Sequence, residues 1–342
     1  MSVRLNEASL MKALADKLER LYLVEGNDAF LVDSCTSAIL KNAAAADDVI
    51  RLDIMKCSDD ELEEPFYSFG FGAGRALLLD GFDAGAVKDD RLSLLKELFA
   101  DIPEGLVVVL KRFVDDARFS PSKKAAQLIS VCESSATVEA VSKSGEALTG
   151  YVMRQIKKSG ATASSAVARM IAERCGEDLQ LTSGETAKLA ALANYGEITA
   201  EQVEALCAKT PEFGVYDMLG SLERGETKRA FRALIEMLDE RTEPLLISAV
   251  MNTAFVNLYR CRLARESGRS QGAVASMFDY KAGDKKLGIA YNNCMKYSVK
   301  QLEAIIIELA QLDAALKSSQ VEDRILLEKS VAEIARHVGA KL

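Results

Sequence analysis

Leu21-Tyr22-Leu23-Val24-Glu25-Gly26-Asn27-Asp28-Ala29-Phe30 runs from a short apolar strand through a polar turn into the start of a helix. In a nucleotide-binding fold this turn carries the phosphate loop. Such a loop needs two glycines, so that backbone N–H groups can wrap the phosphates, and then Lys followed by Ser or Thr for charge and magnesium. Here the turn has one glycine, Gly26, and the next lysine is Lys41. A chain with the scaffold pattern of an ATPase but without its charge-binding parts is expected to work beside ATPases rather than as one.

Around this strand lie four more β-rich runs: Val49–Asp53, Ala76–Asp80, Leu106–Lys111 and Thr137–Val141. Helical spacing separates them. Phe30, Leu31, Cys35, Ala38 and Ile39 fall at three- and four-residue steps, as do Leu92, Leu95, Leu98 and Phe99. Ser120 followed by Pro121 reads as an N-cap with proline at the first helical position, leading into Ala125–Val131. Strands alternating with helices predict an α/β domain with a parallel five-stranded sheet and right-handed crossovers.

After Lys143-Ser144-Gly145 the strand signal stops and helical periodicity continues. A break at Thr210-Pro211-Glu212-Phe213-Gly214 opens a further helical region, in which Pro244 starts a long helix through Leu263. Leu302, Ile305, Leu309, Leu312 and Leu316 form a packed-bundle seam too short for a free coiled coil. The expected division is 1–142 (α/β), 143–211 (a small all-α domain) and 212–342 (a second all-α domain).

Composition narrows the function. With 342 residues, 49% apolar and 27% charged, the chain can bury ordinary cores, and disorder is excluded as its general state. The net charge of −8 is unevenly placed: residues 1–140 hold 16 Lys/Arg against 25 Asp/Glu, and residues 141–342 hold 27 against 26. A protein devoted to gripping phosphates shows the opposite bias, so nucleic-acid contact is expected to be local or shared with partners. No apolar run is long enough to span a bilayer, and the N-terminus lacks the basic-then-apolar character of a signal peptide. The seven dispersed cysteines, with no C-x-x-C pair, read as buried free thiols in a reducing cytoplasm, and neither metal nor cofactor is expected.

Catalytic candidates are few. His337 is the only histidine and lies among Ile334 and Val338, which suits a structural or surface role better than a triad. Asp80 ends its strand like the magnesium-holding acid of an ATPase, but Gly81 follows where a water-activating Glu would stand. Gly70-Phe71-Gly72-Ala73-Gly74 precedes a strand, so it has no helix N-terminus for a pyrophosphate. Its aromatics carry more weight: Phe66, Tyr67, Phe69 and Phe71 crowd six residues of a chain with 12 Phe and 9 Tyr. They either cover the sheet's own edge or anchor in a partner's apolar pocket. Arg262, Arg265 and Arg269 share a predicted helical face beside Arg260, and Lys281, Lys285 and Lys286 follow; the four arginines are candidates for contact with DNA or a neighbouring subunit, against the alternative of a solvated face.

In order and spacing these pieces resemble the delta subunit family of the bacterial DNA polymerase III clamp loader. The likeness is carried by Tyr22–Leu31, Phe71–Leu79, Val107–Leu110 with Asp116-Ala117-Arg118, Gly176–Leu179 with Glu185 and Lys188, Ile198–Val203, Gly225, Ala230, Leu234, Glu243-Pro244 and Asp313–Lys317. The resemblance implies an AAA+-like sheet domain, a helical lid and a helical collar for oligomerisation. It implies a subunit without catalysis of its own that binds the sliding clamp (the beta subunit) and holds one ring interface open. Its partners would be ATPase subunits, a delta-prime subunit and primed DNA reached through the assembled complex; no membrane is involved. The family's clamp contact is a pair of large apolar residues before the third strand. Aligning Arg75 with that run puts Phe71 on the second position and Gly70 on the first; a shift of one residue brings Phe69 into the gap. Phe71, Phe69 and Phe66 are therefore the clamp-binding candidates. The rivals are an unorthodox NTPase using Asp80 and a helical adaptor that binds nucleic acid.

Overall fold

The parallel sheet foreseen around Leu21–Val24 is present in a computed structural model, which describes residues 3–68, 74–116, 119–280 and 285–339. The chain forms two compact units, residues 1–143 and 144–342.

The first unit runs β1 (Val3–Asn6), α1 (Glu7–Asp16), β2 (Leu21–Gly26), α2 (Ala29–Ala43), β3 (Val49–Asp53), α3 (Asp59–Tyr67), β4 (Arg75–Asp80), α4 (Asp89–Ala100), β5 (Leu106–Phe113), α5 (Lys123–Ile129), β6 (Ser135–Ala140). All pairings are parallel, in the order β1-β6-β2-β5-β4-β3. The sheet therefore has six strands, not five. The extra strand is β1, four residues long, exposed or half-exposed throughout and paired on one side only. A short edge strand needs no apolar run, which is why it leaves little trace in sequence.

The central strands β2, β4 and β5 are buried on both faces. Leu21, Leu23, Leu77, Leu79, Val108 and Leu110 turn one way, onto Leu62 and Phe66 of α3, Leu95 and Phe99 of α4, and Leu128 of α5. The alternate residues face the other way, where α2 packs on β2 and β5. The start of α5 corrects the expected cap: Ser122, not Ser120, is its N-cap, accepting from the Ala125 N–H.

The second unit is helical among the described residues, apart from a bridge between Thr162 and Glu197. It comprises α6 (Gly145–Lys158), α7 (Ser165–Cys175), α8 (Leu179–Leu192), α9 (Ala200–Leu206), α10 (Pro211–Glu223), α11 (Thr227–Asp239), α12 (Pro244–Glu266), α13 (Gln271–Met277), α14 (Lys285–Asn293), α15 (Val299–Ser318) and α16 (Asp323–Val338). Pro244 sits in the first turn of α12, where its missing N–H costs nothing. Helices α10–α16 share one apolar core that includes the Leu302, Ile305, Leu309 and Leu312 seam. Its connection to α6–α9 is polar in part: the Thr210 N–H donates to the Arg174 carbonyl, and the Arg174 guanidinium lies over Phe213.

Candidate functional site

Because every strand is parallel, the sheet has two distinct ends. The C-terminal end, where α/β folds bind nucleotides, carries Gly26, Asp80 and Phe113. At the N-terminal end lie the close of α3, with Ser68, and the start of β4 at Arg75. Six-residue β4 separates the two by about 17 Å, at about 3.3 Å per residue.

At the nucleotide end the phosphate position is filled from within. Gly26 lies so close to β6 that a Cβ there would stand 1.8 Å from the Ala140 carbonyl oxygen. Asn27 staples the turn, donating through Nδ2 to the Asp116 carbonyl (3.1 Å) and accepting from the Ser142 N–H (2.9 Å). Asp28 then caps α2, its Oδ1 accepting from the Leu31 N–H at 2.9 Å. A helix N-terminus attracts anions through its free N–H groups and dipole, and here the protein's own carboxylate already takes that place.

Glu25, at the end of β2, is 1% exposed. Its Oε2 accepts from Arg112 Nη1 (2.9 Å) and from the Ser122 N–H (3.1 Å). The same carboxylate thus ties β2 to β5 and to the start of α5. Arg112 also donates to the Ser120 carbonyl and lies over Phe119.

The cation position is filled as well. Asp80 Oδ1 accepts from the Gly81 N–H (2.8 Å) and Oδ2 from Lys111 Nζ (3.0 Å), while the same ammonium pairs with Asp33 at 2.8 Å. Burial pulls the Lys111 ammonium toward deprotonation, but hydrogen bonds to Asp33 and Asp80 and their charges outweigh it, raising its pKa above the ordinary lysine value. Both oxygens of the one acid that resembles a magnesium ligand are occupied. Among the described residues no group of three or more His, Cys, Asp or Glu has the arrangement of a metal site.

The opposite end is built differently. A capping box between Ser58 and Glu61 starts α3, and Asp59, Asp60 and Glu61 complement its dipole. Pro65 removes a backbone donor near the helix end, and α3 stops two residues later at Tyr67. Phe66 is 5% exposed and packs in the sheet core. That corrects its reading as a partner anchor: it holds α3 on the sheet by about 2–3 kcal/mol of apolar burial. Tyr67, its neighbour, is 70% exposed. Phe69 and Phe71 lie outside the described residues. The two ends of their segment are tied: Arg75 Nη1 donates to Ser68 Oγ at 2.8 Å, and the Arg75 N–H donates to the Gly105 carbonyl at 2.7 Å. Gly74 takes φ +66°, and a Cβ there would meet the Ala43 carbonyl oxygen at 2.3 Å. The return into β4 is therefore specified on glycine.

The four arginines do not form a plain solvated row. Arg260, Arg262 and Arg265 lie on α12, but that helix ends at Glu266, so Arg269 stands in the turn beyond it. Arg260 lies over the Phe278 ring at 4.1 Å and donates to Tyr280 Oη at 2.6 Å; Arg265 lies over Tyr291 at 5.1 Å. Arg262 pairs with Glu266 at 2.9 Å and touches Met295 Sδ, and Arg269 reaches Met277 Sδ. Lys281 lies outside the described residues. His337 contributes its backbone carbonyl, which accepts from Gln301 Nε2. No helix of the described residues is long and apolar enough to cross a membrane.

Sequence reasoning missed Glu25, Arg112, Lys111 and Asp33, because partners such as Glu25 and Arg112 stand 87 residues apart. Only the charge at the end of an otherwise apolar strand could have flagged Glu25, Lys111 and Arg112; Asp33, on α2, carries no such signal.

Residues 212–334 match the family model of the DNA polymerase III delta subunit, C-terminal domain. The DNA polymerase III subunit delta of Bacillus subtilis is 22% identical over 140 residues, 41% of this chain and 40% of that relative's length. Over nearly the full length the fold is similar to that of the Bacillus subtilis DNA clamp loader delta protein: the TM-score is 0.71 at 18% identity, covering 96% of this chain and 99% of that one. Residues 212–334 are thus similar to the C-terminal domain of the DNA polymerase III delta subunit, and over nearly its full length the chain shares the fold of a clamp loader delta protein, in line with the resemblance read from its sequence.

Proposed function

We propose that this chain is the clamp-loader subunit that binds the sliding clamp and holds its ring interface open for loading onto primed DNA, without hydrolysing ATP. One observation carries the non-hydrolysing part: Asp28 and Lys111 fill the anion and cation positions at the sheet's C-terminal end. The grip is assigned to the opposite end, where Phe71 and Phe69 belong to the segment tied by Ser68 and Arg75. Exposed Tyr67 flanks it. On this reading residues 1–142 bind the clamp, 143–211 form the lid, and 212–342 form the collar that joins ATPase subunits and a delta-prime subunit in a bacterial cytoplasm.

Apolar grip suits the task. A closed hydrophobic interface is opened only by a ligand that binds the sprung ring more tightly than the closed one. Titration calorimetry of the full chain with the sliding clamp tests the assignment. Phe71→Ala, alone or with Phe69→Ala, should weaken binding by about 2 kcal/mol, roughly 30-fold, with the melting temperature unchanged. Equal affinity of wild type and double variant would remove the site.

A further inference from the structure

Cys175 Sγ stands 3.9 Å from Cys207 Sγ, the one sulfur–sulfur hydrogen bond among the described residues, although 32 positions separate the two in sequence. Cys175 is the last residue of α7, and Cys207 follows α9 as its C-cap. Both are buried, and the half-exposed residues 208–210 lead from Cys207 into α10. Neighbouring groups hold the two thiols together. Arg174 Nε donates to the Cys207 carbonyl at 3.4 Å, and its Nη2 donates to the Glu204 carbonyl at 2.9 Å. Glu185 accepts from the Ala208 N–H at 2.7 Å and pairs with Lys188 at 2.6 Å. The hydrogen bond from the Cys175 thiol lowers the Cys207 pKa below the ordinary thiol value; burial and Glu185 oppose this, and the Arg174 and Lys188 charges assist it. Cys261 and Cys294 are placed differently, each meeting a backbone carbonyl, those of Leu287 and Tyr291.

We propose that Cys175 and Cys207 are a redox modification site: on exposure to a hydroperoxide they close into a reversible disulfide that clasps α7 to the linker between α9 and α10. The Cys207 thiolate attacks one peroxide oxygen. An S–O bond forms, the O–O bond breaks, and the departing oxygen takes up the thiol's proton, leaving as water or an alcohol. The Cys175 sulfur then attacks the Cys207 sulfenic acid; the S–S bond forms, the S–O bond breaks, and the hydroxyl leaves as water with the Cys175 proton. Two thiols are oxidised and one peroxide is reduced. The resolving thiol is already in contact, so bridging outruns further oxidation of Cys207. Disulfides of reducing compartments are mostly of this transient kind. The bridge would close the loop that holds α8 and α9 and fix the linker beside the point where the Thr210 N–H donates to the Arg174 carbonyl. It uses no residue assigned to the clamp grip.

Treating the reduced full chain with hydrogen peroxide, then alkylating and mapping peptides without reductant, tests the proposal. The wild type should yield a Cys175–Cys207 cross-linked peptide, lighter by two hydrogens than its separate parts, and dithiothreitol should release it. A bridge across a loop of this length should raise the melting transition of the second unit by about 5 °C or more. Hydrogen exchange should slow at the Ala208 and Thr210 amides, which bond to Glu185 and to the Arg174 carbonyl. Cys175→Ala and Cys207→Ser should each abolish the cross-link and the peroxide-induced rise, and melting of the reduced variants checks that they fold. The wild-type map is decisive without any variant. Both thiols alkylated while Cys57 is oxidised, bridges chiefly to other cysteines, Cys207 found as a sulfinic acid with no bridge, or a bridge that leaves melting unchanged would each overturn the proposal.

Discussion

Replacing Arg112 with Met keeps the stem of the side chain but removes the guanidinium from Glu25. That carboxylate is 1% exposed and accepts from Arg112 at 2.9 Å and from the Ser122 N–H at 3.1 Å. Breaking a buried pair by deleting one partner costs about 3–5 kcal/mol, chiefly because the remaining charge stays buried. The surviving Ser122 bond and the retained stem place the expected loss near the lower end, about 3 kcal/mol. For a protein of this size 1 kcal/mol shifts the melting temperature by about 2–4 °C, so the first unit should melt about 6–12 °C lower. Differential scanning calorimetry of the full chain is the suitable assay, since two units need not unfold together. Glu25→Gln/Arg112→Met removes both charges and should recover most of the loss, with a coupling of at least about 2 kcal/mol. A melting temperature for Arg112→Met within about 1 °C of wild type would show that the pair does not hold the turn, and a double variant as unstable as the single one would assign the cost to packing.

Gly26→Ala should be poorly folded, because its Cβ would stand 1.8 Å from a backbone oxygen of β6. Soluble yield and melting temperature report this, and a variant as stable as wild type would contradict the close approach. Lys111 supplies a pH test. Its folded pKa is raised, by Asp33 and Asp80 against the opposing effect of burial, so its stabilisation is complete below about pH 10.4 and lost as pH rises through the folded value. Lys111→Met should therefore have a flatter decline of melting temperature above that pH than wild type; identical alkaline limbs would refute it. Of the seven cysteines Cys57 is the one not buried, so a maleimide should label Cys57 first in the native protein, as peptide mapping would show.

Much of the fold could be read from residue patterns because its strands are central. Leu21–Val24, Leu77–Leu79 and Val107–Leu110 are buried on both faces and appear as unbroken apolar runs. β1 escaped because an edge strand of four residues has no buried face of its own. The Ser120-Pro121 pair looked like a helix start, yet the start is set by Ser122, whose N–H is claimed by Glu25 from 97 residues away. The absence of a phosphate loop was legible in one glycine and a distant lysine. What takes its place was not, because Lys111 meets Asp33 and Asp80 only after β5, helix α2 and β4 come together. Phe66 misled for a simpler reason: helical position decides burial, and Phe66 and Tyr67 point to opposite environments although adjacent.

The proposed division of labour, charges closed off at one end of the sheet and apolar grip at the other, is tested most directly on the ring itself. A sliding clamp labelled with a fluorescence pair across one subunit interface is mixed with the full chain in the absence of nucleotide. The wild type should open that interface unaided, and Phe69→Ala/Phe71→Ala should leave it closed at the same concentration. Opening that requires ATP, or opening by the double variant equal to wild type, would contradict the account.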